Sequence, residues 1–121
     1  MLTPKEIAEL IVNILDGKKA RDIKLLRTTE VTVLADFFVI CTAGSTIQLK
    51  TLSDEVEKNL KTAGETPLRR EGHRSSSWVL IDYGCVIVHL FLQETREFYS
   101  LERLWNDAED IDISTMIARK T

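Results

Sequence analysis

Residues 78–92, WVLIDYGCVIVHLFL, decide the fold, because they contain two apolar segments separated by a short turn. Residues 78–82 and 86–92 are rich in β-branched and aromatic side chains, which favour strands. Tyr83 and Gly84 between them are typical of a tight connection between antiparallel strands. The stretch therefore predicts a β-hairpin. Both faces of its second strand are apolar, so we expect helices to cover one face and a further helix or a partner to meet the other.

Two amphipathic helices and three further strands are predicted upstream of this hairpin. Capping boxes mark both helix starts and glycines mark both ends: the first helix runs from the Thr3–Glu6 box to Gly17, the second from the Ser45–Gln48 box to Gly64. Strands are predicted at residues 23–26, 37–42 and 68–70, the last at a sheet edge, and residues 95–108 are predicted to be helical. The order α-β-β-α-β-β-β-α predicts one small α/β domain, a mixed β-sheet with packed helices.

The composition excludes several classes of protein. A length of 121 residues with 44% hydrophobic content fits a single domain with one core. No segment approaches the roughly 20 apolar residues that a membrane-spanning helix needs. The first residues, MLTPKEIAEL, lack the apolar centre of a signal peptide, so we expect a cytoplasmic protein. Cys41 and Cys85 lie within or beside apolar strands, and we expect two reduced thiols.

The charge is distributed unevenly. The net charge of −3 argues against a direct nucleic-acid binder, for which a basic surface is expected. Residues 1–93 hold equal numbers of acids and bases, whereas residues 94–112 hold seven acids against two arginines, a local net charge of −5. An acidic segment beside aromatic side chains would suit a basic protein partner. Ordinary solvated acids around a helix and a tail would give the same composition, so both interpretations stay open.

Enzymatic chemistry finds little support in the residues. Gly44 and Ser45 join a strand to a helix as in nucleotidyltransferases, and backbone amides at a helix start suit phosphate. That chemistry also needs two or three carboxylates for magnesium, yet the following strand offers Arg69 and Arg70, and Asp82 stands alone. His89 alternates with apolar residues, which favours a structural histidine. We predict helix entry at Gly44, with no catalytic residue, cofactor or metal.

The residues after the hairpin favour protein recognition. Aromatic and arginine side chains bury large areas with few rotatable bonds, which is what binding surfaces use. Within and after the hairpin these residue types are dense. The predicted contact residues are Trp78, Leu80, Asp82, Tyr99, Glu102 and Arg103, with Glu71 and Arg96 bracing them.

Five motifs in order resemble one known family. They are DFFVI at 36–40, EG at 71–72, WVLIDYG at 78–84, VHLF at 88–91 and REFYSLERLW at 96–105. Together they are similar to the ribosomal silencing factor (Iojap-like) family, over residues 2–108. The chain departs from the family pattern at Ile47, where an arginine is usual, and at Cys85, where an acid is usual.

The resemblance implies a fold, a partner and a mechanism. It implies a nucleotidyltransferase-like topology without catalytic carboxylates, in a domain of residues 1–108. The acids Glu109 and Asp110 are unfavourable at the end of a helix, so we expect residues 109–121 to form a mobile C-terminal tail. The resemblance also implies a non-enzymatic translation repressor that binds protein fourteen of the large ribosomal subunit. By occupying that site it blocks joining of the small subunit when nutrients run short. A minor rRNA contact beside protein fourteen is our own expectation and is not implied by the family. The alternatives are a nucleotidyltransferase-like nucleotide-binding enzyme and a homodimeric structural module.

Overall fold

The computed structural model of this chain describes residues 2–27, 36–72, 77–93, 109–111 and 113. Two helices and six strands lie within these ranges. They are α1 (Pro4–Gly17), β1 (Arg21–Arg27), β2 (Phe37–Ala43), α2 (Thr46–Thr62), β3 (Arg69–Glu71), β4 (Trp78–Asp82), β5 (Val86–Leu92) and β6 (Glu109–Ile111). The predicted helix at 95–108 lies outside the described residues.

The six strands form one mixed sheet in the order β3-β4-β5-β2-β1-β6. The central pair β2 and β5 is parallel, and every other neighbouring pair is antiparallel. The hairpin predicted from residues 78–92 is confirmed, with β4 and β5 joined across Tyr83 and Gly84. Gly84 has a φ of +87°, a conformation that glycine adopts without steric cost. The predicted α/β class with a mixed sheet is therefore confirmed.

Helix α1 begins as its sequence predicts. The Thr3 hydroxyl accepts a hydrogen bond from the Glu6 N–H, and the Glu6 carboxylate accepts one from the Thr3 N–H. These two bonds satisfy backbone donors that have no partner within the helix. The hydrogen bonds that the Glu6 carboxylate receives from Thr3, first of all from its backbone N–H, lower the pKa of Glu6. One stripe of the helix is buried against the sheet: Ile7, Ala8, Ile11, Val12 and Leu15.

Helix α2 begins with only half of its predicted capping box. The Ser45 hydroxyl accepts from the Gln48 N–H, as predicted. The Gln48 side chain, however, accepts from the N–H of Gly44 at 2.6 Å instead of from Ser45. Its amide nitrogen also donates to the carbonyls of Lys18 and Lys19, so that tertiary contacts hold this side chain. The predicted reciprocal bond is therefore wrong, because the loop after α1 competes for the same side chain.

The sheet has two buried faces. Both helices cover the first face, where residues such as Val39, Val79 and Val88 join the main core. A second cluster lies on the opposite face and contains Leu26, Phe38, Ile40, Ile87 and Phe91, with the half-buried Trp78 and Leu80 packed against it. We call this opposite side the Trp78 face. Its existence follows from the apolar character of both sides of β2 and β5.

The C-terminal boundary departs from the prediction. Glu109–Ile111 pairs antiparallel with β1, opposite Leu25–Arg27, and forms one edge of the sheet. Ile111 and Ile113 pack against the main core. These residues therefore lie at the sheet, although the sequence analysis assigned them to the C-terminal tail. Two of the three residues of this short strand are acidic, and its pairing depends on the edge of β1 that β2 leaves open.

Candidate protein-interaction surface

Strand β4 places the predicted contact residues Trp78, Leu80 and Asp82 on the Trp78 face. Side chains alternate along a strand, and the hairpin register sets Trp78 opposite Phe91 and Leu80 opposite His89. Strand β3 extends the same face outward, because Glu71 lies opposite Leu80. The structure thus brings together four of the predicted residues. Tyr99, Glu102, Arg103 and Arg96 lie outside the described residues.

Trp78 is held by an aromatic cluster. Its ring is nearly parallel to Phe91, with centroids 5.8 Å apart, and to His89, with centroids 6.1 Å apart. His89 contacts Phe91 at 6.0 Å and Phe38 at 5.1 Å between ring centroids. Aromatic pairs at such separations stabilise a structure beyond their buried area alone. The half-buried indole therefore has a fixed support on one side.

The polar atom of Trp78 is directed into the protein. Its indole N–H donates a hydrogen bond to Nδ1 of His89, with 3.3 Å between the nitrogens. The parts of the indole that reach solvent are therefore carbon, and the adjacent Leu80 is also half-buried. Together these two side chains form a small apolar centre at the edge of the sheet.

His89 is a buried, neutral histidine. Only 5% of it is exposed, and burial lowers its pKa from 6.5 to about 4. Because Nδ1 accepts the indole hydrogen bond, the proton of the neutral ring sits on Nε2. Within the described part of the chain, Nε2 has no hydrogen-bond partner. The burial agrees with the predicted structural histidine, but its hydrogen bond to Trp78 could not be predicted from the alternation of residues along the strand.

A charged cluster borders the apolar centre. Arg69 pairs with Glu71 at 2.6 Å and with Asp82 at 3.3 Å. Asp82 also accepts a hydrogen bond of 2.7 Å from the Gly84 N–H, so it stabilises the hairpin turn. Exposed ion pairs contribute little to stability, typically below about 1 kcal/mol. Asp82 is therefore a structural residue of the turn as well as a proposed contact.

Arg70 anchors the edge strand to the helical layer. It lies opposite Ile81, on the face that the helices cover. Its guanidinium donates to the Ser53 hydroxyl at 2.7 Å and pairs with Glu57 at 3.1 Å, and Ser53 is fully buried. Sequence reasoning missed this contact. Alternation along the strand predicts that Arg69 and Arg70 lie on opposite faces of the sheet. The partners of Arg70 on α2, Ser53 and Glu57, are distant in sequence and could not be predicted in this way.

Gly72 determines how closely the chain approaches Trp78. Its φ is +107°, and a β-carbon there would lie 2.5 Å from the carbonyl oxygen of Trp78. Only glycine fits without displacing the backbone of β4. The EG motif at residues 71–72 thus carries a steric requirement that the sequence analysis did not state.

The junction at Gly44 and Ser45 is closed by the protein itself. The Gly44 N–H, which a phosphate would need, donates to Gln48, and the Gln48 N–H donates to Ser45. Within the described ranges, no three histidine, cysteine or acidic side chains are grouped closely enough to hold a metal ion. The junction acts as a helix start in this structure, as predicted.

Two further observations concern the whole described fold. Within the described ranges neither Cys41 nor Cys85 forms a disulfide, in agreement with the prediction of reduced thiols, and burial raises the pKa of the Cys85 thiol. Among the described residues, no helix has the length and apolar character needed to cross a membrane.

The fold and this surface define a small α/β domain with an aromatic patch at one edge of a mixed sheet. A family model described as "Ribosomal silencing factor during starvation" matches residues 2–121. The ribosomal silencing factor RsfS of Halalkalibacterium halodurans is 36% identical over 117 residues, covering 97% of this chain and all of that protein. "Mitochondrial assembly of ribosomal large subunit protein 1" of Mus musculus is 32% identical over 93% of this chain and 51% of its own length.

A solved structure agrees with these similarities. The crystal structure of a Chromobacterium violaceum protein superposes with a TM-score of 0.84 at 37% identity, covering 87% of this chain and 88% of that one. The chain belongs to the ribosomal silencing factor family. The resemblance inferred from the five sequence motifs is confirmed. The likeness to nucleotidyltransferase topology stays a prediction.

Proposed function

We propose that this protein binds the large ribosomal subunit through protein fourteen and thereby prevents the small subunit from joining. Membership in the ribosomal silencing factor family is the observation that carries the proposal. The name of the mouse relative, which refers to assembly of the ribosomal large subunit, supports the same subunit as partner. The action is steric: the bound protein occupies space, and no covalent bond is made or broken. Translation falls when nutrients are short, in the cytoplasm.

The proposed contact surface consists of the Trp78 face at its β3–β4 edge together with Tyr99, Glu102, Arg103 and Arg96. Trp78 and Leu80 supply an apolar centre, and Arg69, Glu71 and Asp82 surround it with charge. An apolar centre with a polar rim is the usual anatomy of a protein interface. The local charge of −5 over residues 94–112 would complement a basic ribosomal protein and favour fast association. Two of the seven acids, Glu109 and Asp110, lie in β6 at the opposite edge of the sheet, so the other five would supply the charge beside the Trp78 face.

Subunit association tests the proposed mechanism. Purified large subunits are incubated with a saturating amount of the protein, small subunits are added, and the mixture is separated on a sucrose gradient. We expect free subunits to accumulate and the protein to sediment with the large subunit. An undiminished yield of joined ribosomes at saturation would contradict the mechanism, even if the protein were bound.

Substitutions test the surface. Buried aromatic anchors typically cost about 2 kcal/mol or more when truncated, so we expect Trp78→Ala to weaken large-subunit binding roughly 30-fold. Leu80→Ala should weaken it by a smaller factor. Ile47→Ala is a matched apolar control, because Ile47 is 79% exposed but lies in the first turn of α2, in the helical layer. If folded Trp78→Ala bound the large subunit normally, this surface would be excluded from the proposal. An equal loss of affinity in the Ile47→Ala control would exclude it as well.

A further inference from the structure

We infer that His89 is a positioning residue for partner binding, because its Nδ1 atom holds the Trp78 indole N–H inside the sheet and turns the carbon part of the indole outward. This inference rests on the proposed function and adds a residue that does not itself reach the partner. It also changes how Trp78 is expected to recognise its partner. The indole would contribute apolar contact and shape, with its N–H already used.

The geometry around His89 supports this role. The nitrogens are 3.3 Å apart, and the two rings are tilted by only 7°. Phe91 lies parallel to both rings, at interplanar angles of 4° to Trp78 and 5° to His89. One hydrogen bond and two parallel ring contacts therefore restrict the indole to a single orientation. A tryptophan at a surface without such contacts would keep several rotamers.

The chemistry of the imidazole makes the hydrogen bond persistent. A histidine can accept from an indole N–H only while that ring nitrogen carries no proton. His89 is buried between β2 and β4, opposite Ile40 and Leu80, both uncharged. The ring therefore stays neutral near pH 7, and Nδ1 remains available as an acceptor.

Fixing the indole before binding improves affinity. A side chain that must be ordered during association reduces the affinity by the entropy that it loses, and a prearranged side chain avoids this cost. His89→Phe keeps an aromatic ring in the cluster and removes the acceptor. His89→Asn keeps an acceptor near the position of Nδ1 and removes the ring. We expect His89→Phe to weaken large-subunit binding about 3- to 10-fold, the range of one neutral hydrogen bond, and His89→Asn to recover part of that loss if it folds.

A readout without ribosomes tests the positioning itself. The indole N–H of Trp78 gives a separate signal in a ¹⁵N–¹H spectrum, assigned by its disappearance in Trp78→Phe. We expect slow hydrogen exchange of this N–H in the native protein and at least ~10-fold faster exchange in folded His89→Phe. Equal exchange rates in the two proteins would overturn the inference, whatever the binding data show.

A double-mutant cycle separates positioning from general stability. Trp78→Phe removes the donor, so His89→Phe should cost no further affinity in that background. Val56→Ala, in the main core on the helix side, is the control for lost stability without contact to Trp78. A His89→Phe loss that persists in the Trp78→Phe background, or that Val56→Ala reproduces, would overturn the inference. Full affinity of Trp78→Ala would instead overturn the proposed surface, so the two failures are distinguishable.

Discussion

Acid should destabilise this protein through His89. Its native pKa is about 4, whereas an unfolded histidine titrates near 6.5. Between about pH 4 and pH 6.5 the histidine therefore binds a proton in the unfolded state but not in the native state. The free energy of unfolding is highest above about pH 6.5 and falls as the pH decreases. The gap corresponds to about 3 kcal/mol when fully developed, of which roughly 2 kcal/mol is already lost at pH 5.

The comparison of two proteins isolates this contribution. Urea unfolding is followed at pH 7.5, 6.5, 5.5 and 5.0 for the native protein and for His89→Phe, which cannot titrate. Carboxylates and the second histidine, His73, are present in both and cancel in the difference. We expect the free energy of unfolding of the native protein to fall by about 2 kcal/mol more than that of the variant between pH 7.5 and 5. Parallel pH profiles would refute the burial of a neutral His89.

Three further perturbations have expected outcomes. Gly72→Ala should lower the free energy of unfolding by more than about 2 kcal/mol, because the new residue has an unfavourable φ and its β-carbon also clashes with the Trp78 carbonyl. Gly64→Ala, at a φ of +93° with open space around it, should lower it by only about 1 kcal/mol. Similar losses for the two variants in urea unfolding would disprove the clash. Gln48→Ala should lower stability by about 1 kcal/mol, since three hydrogen bonds to the Gly44 and Lys18–Lys19 backbone are lost, and an unchanged melting temperature would contradict that. Large-subunit binding should weaken several-fold between 50 and 200 mM salt, as measured by co-sedimentation, because the proposed interaction pairs acids of residues 94–112 with a basic protein; salt-independent affinity would argue against this charge pairing.

Local features of the fold could be predicted from the sequence, and long-range ones could not. The β4–β5 hairpin and the α1 capping box depend on residues within a few positions of one another, and both were predicted correctly. Arg70 instead reaches Ser53 across 17 positions, and Gln48 reaches Lys18 across 30. Strand β6 pairs with β1 over some 80 residues of chain, and its acidic sequence has no strand pattern of its own. Such pairings depend on which edges the rest of the fold leaves free.

The candidate site shows the same division. Alternation along β4 was sufficient to place Trp78, Leu80 and Asp82 on one face, and the structure confirms that placement. Asp82 is already bonded to Gly84 and Arg69, and Trp78 to His89. These bonds could be predicted only with the register of three strands in hand. From the sequence alone, the aromatic and charged side chains exposed to a partner could therefore not be distinguished from those whose polar atoms are bonded within the protein.

The position of the surface follows from how burial changes across the sheet. Phe91 and Ile40, on the central strands, are buried; Trp78 and Leu80, one strand further out, are half-buried; Arg69 and Glu71, at the edge, are exposed. Part of the apolar area at β4 is therefore still exposed, while the charged β3 protects the edge from pairing with another strand. A partner that covers β4 gains apolar contact without unfolding anything, because Arg70 holds β3 to α2 from the opposite face. The proposed recognition at this edge is therefore linked to the central sheet through His89 and Phe91, which are buried there and contact Trp78.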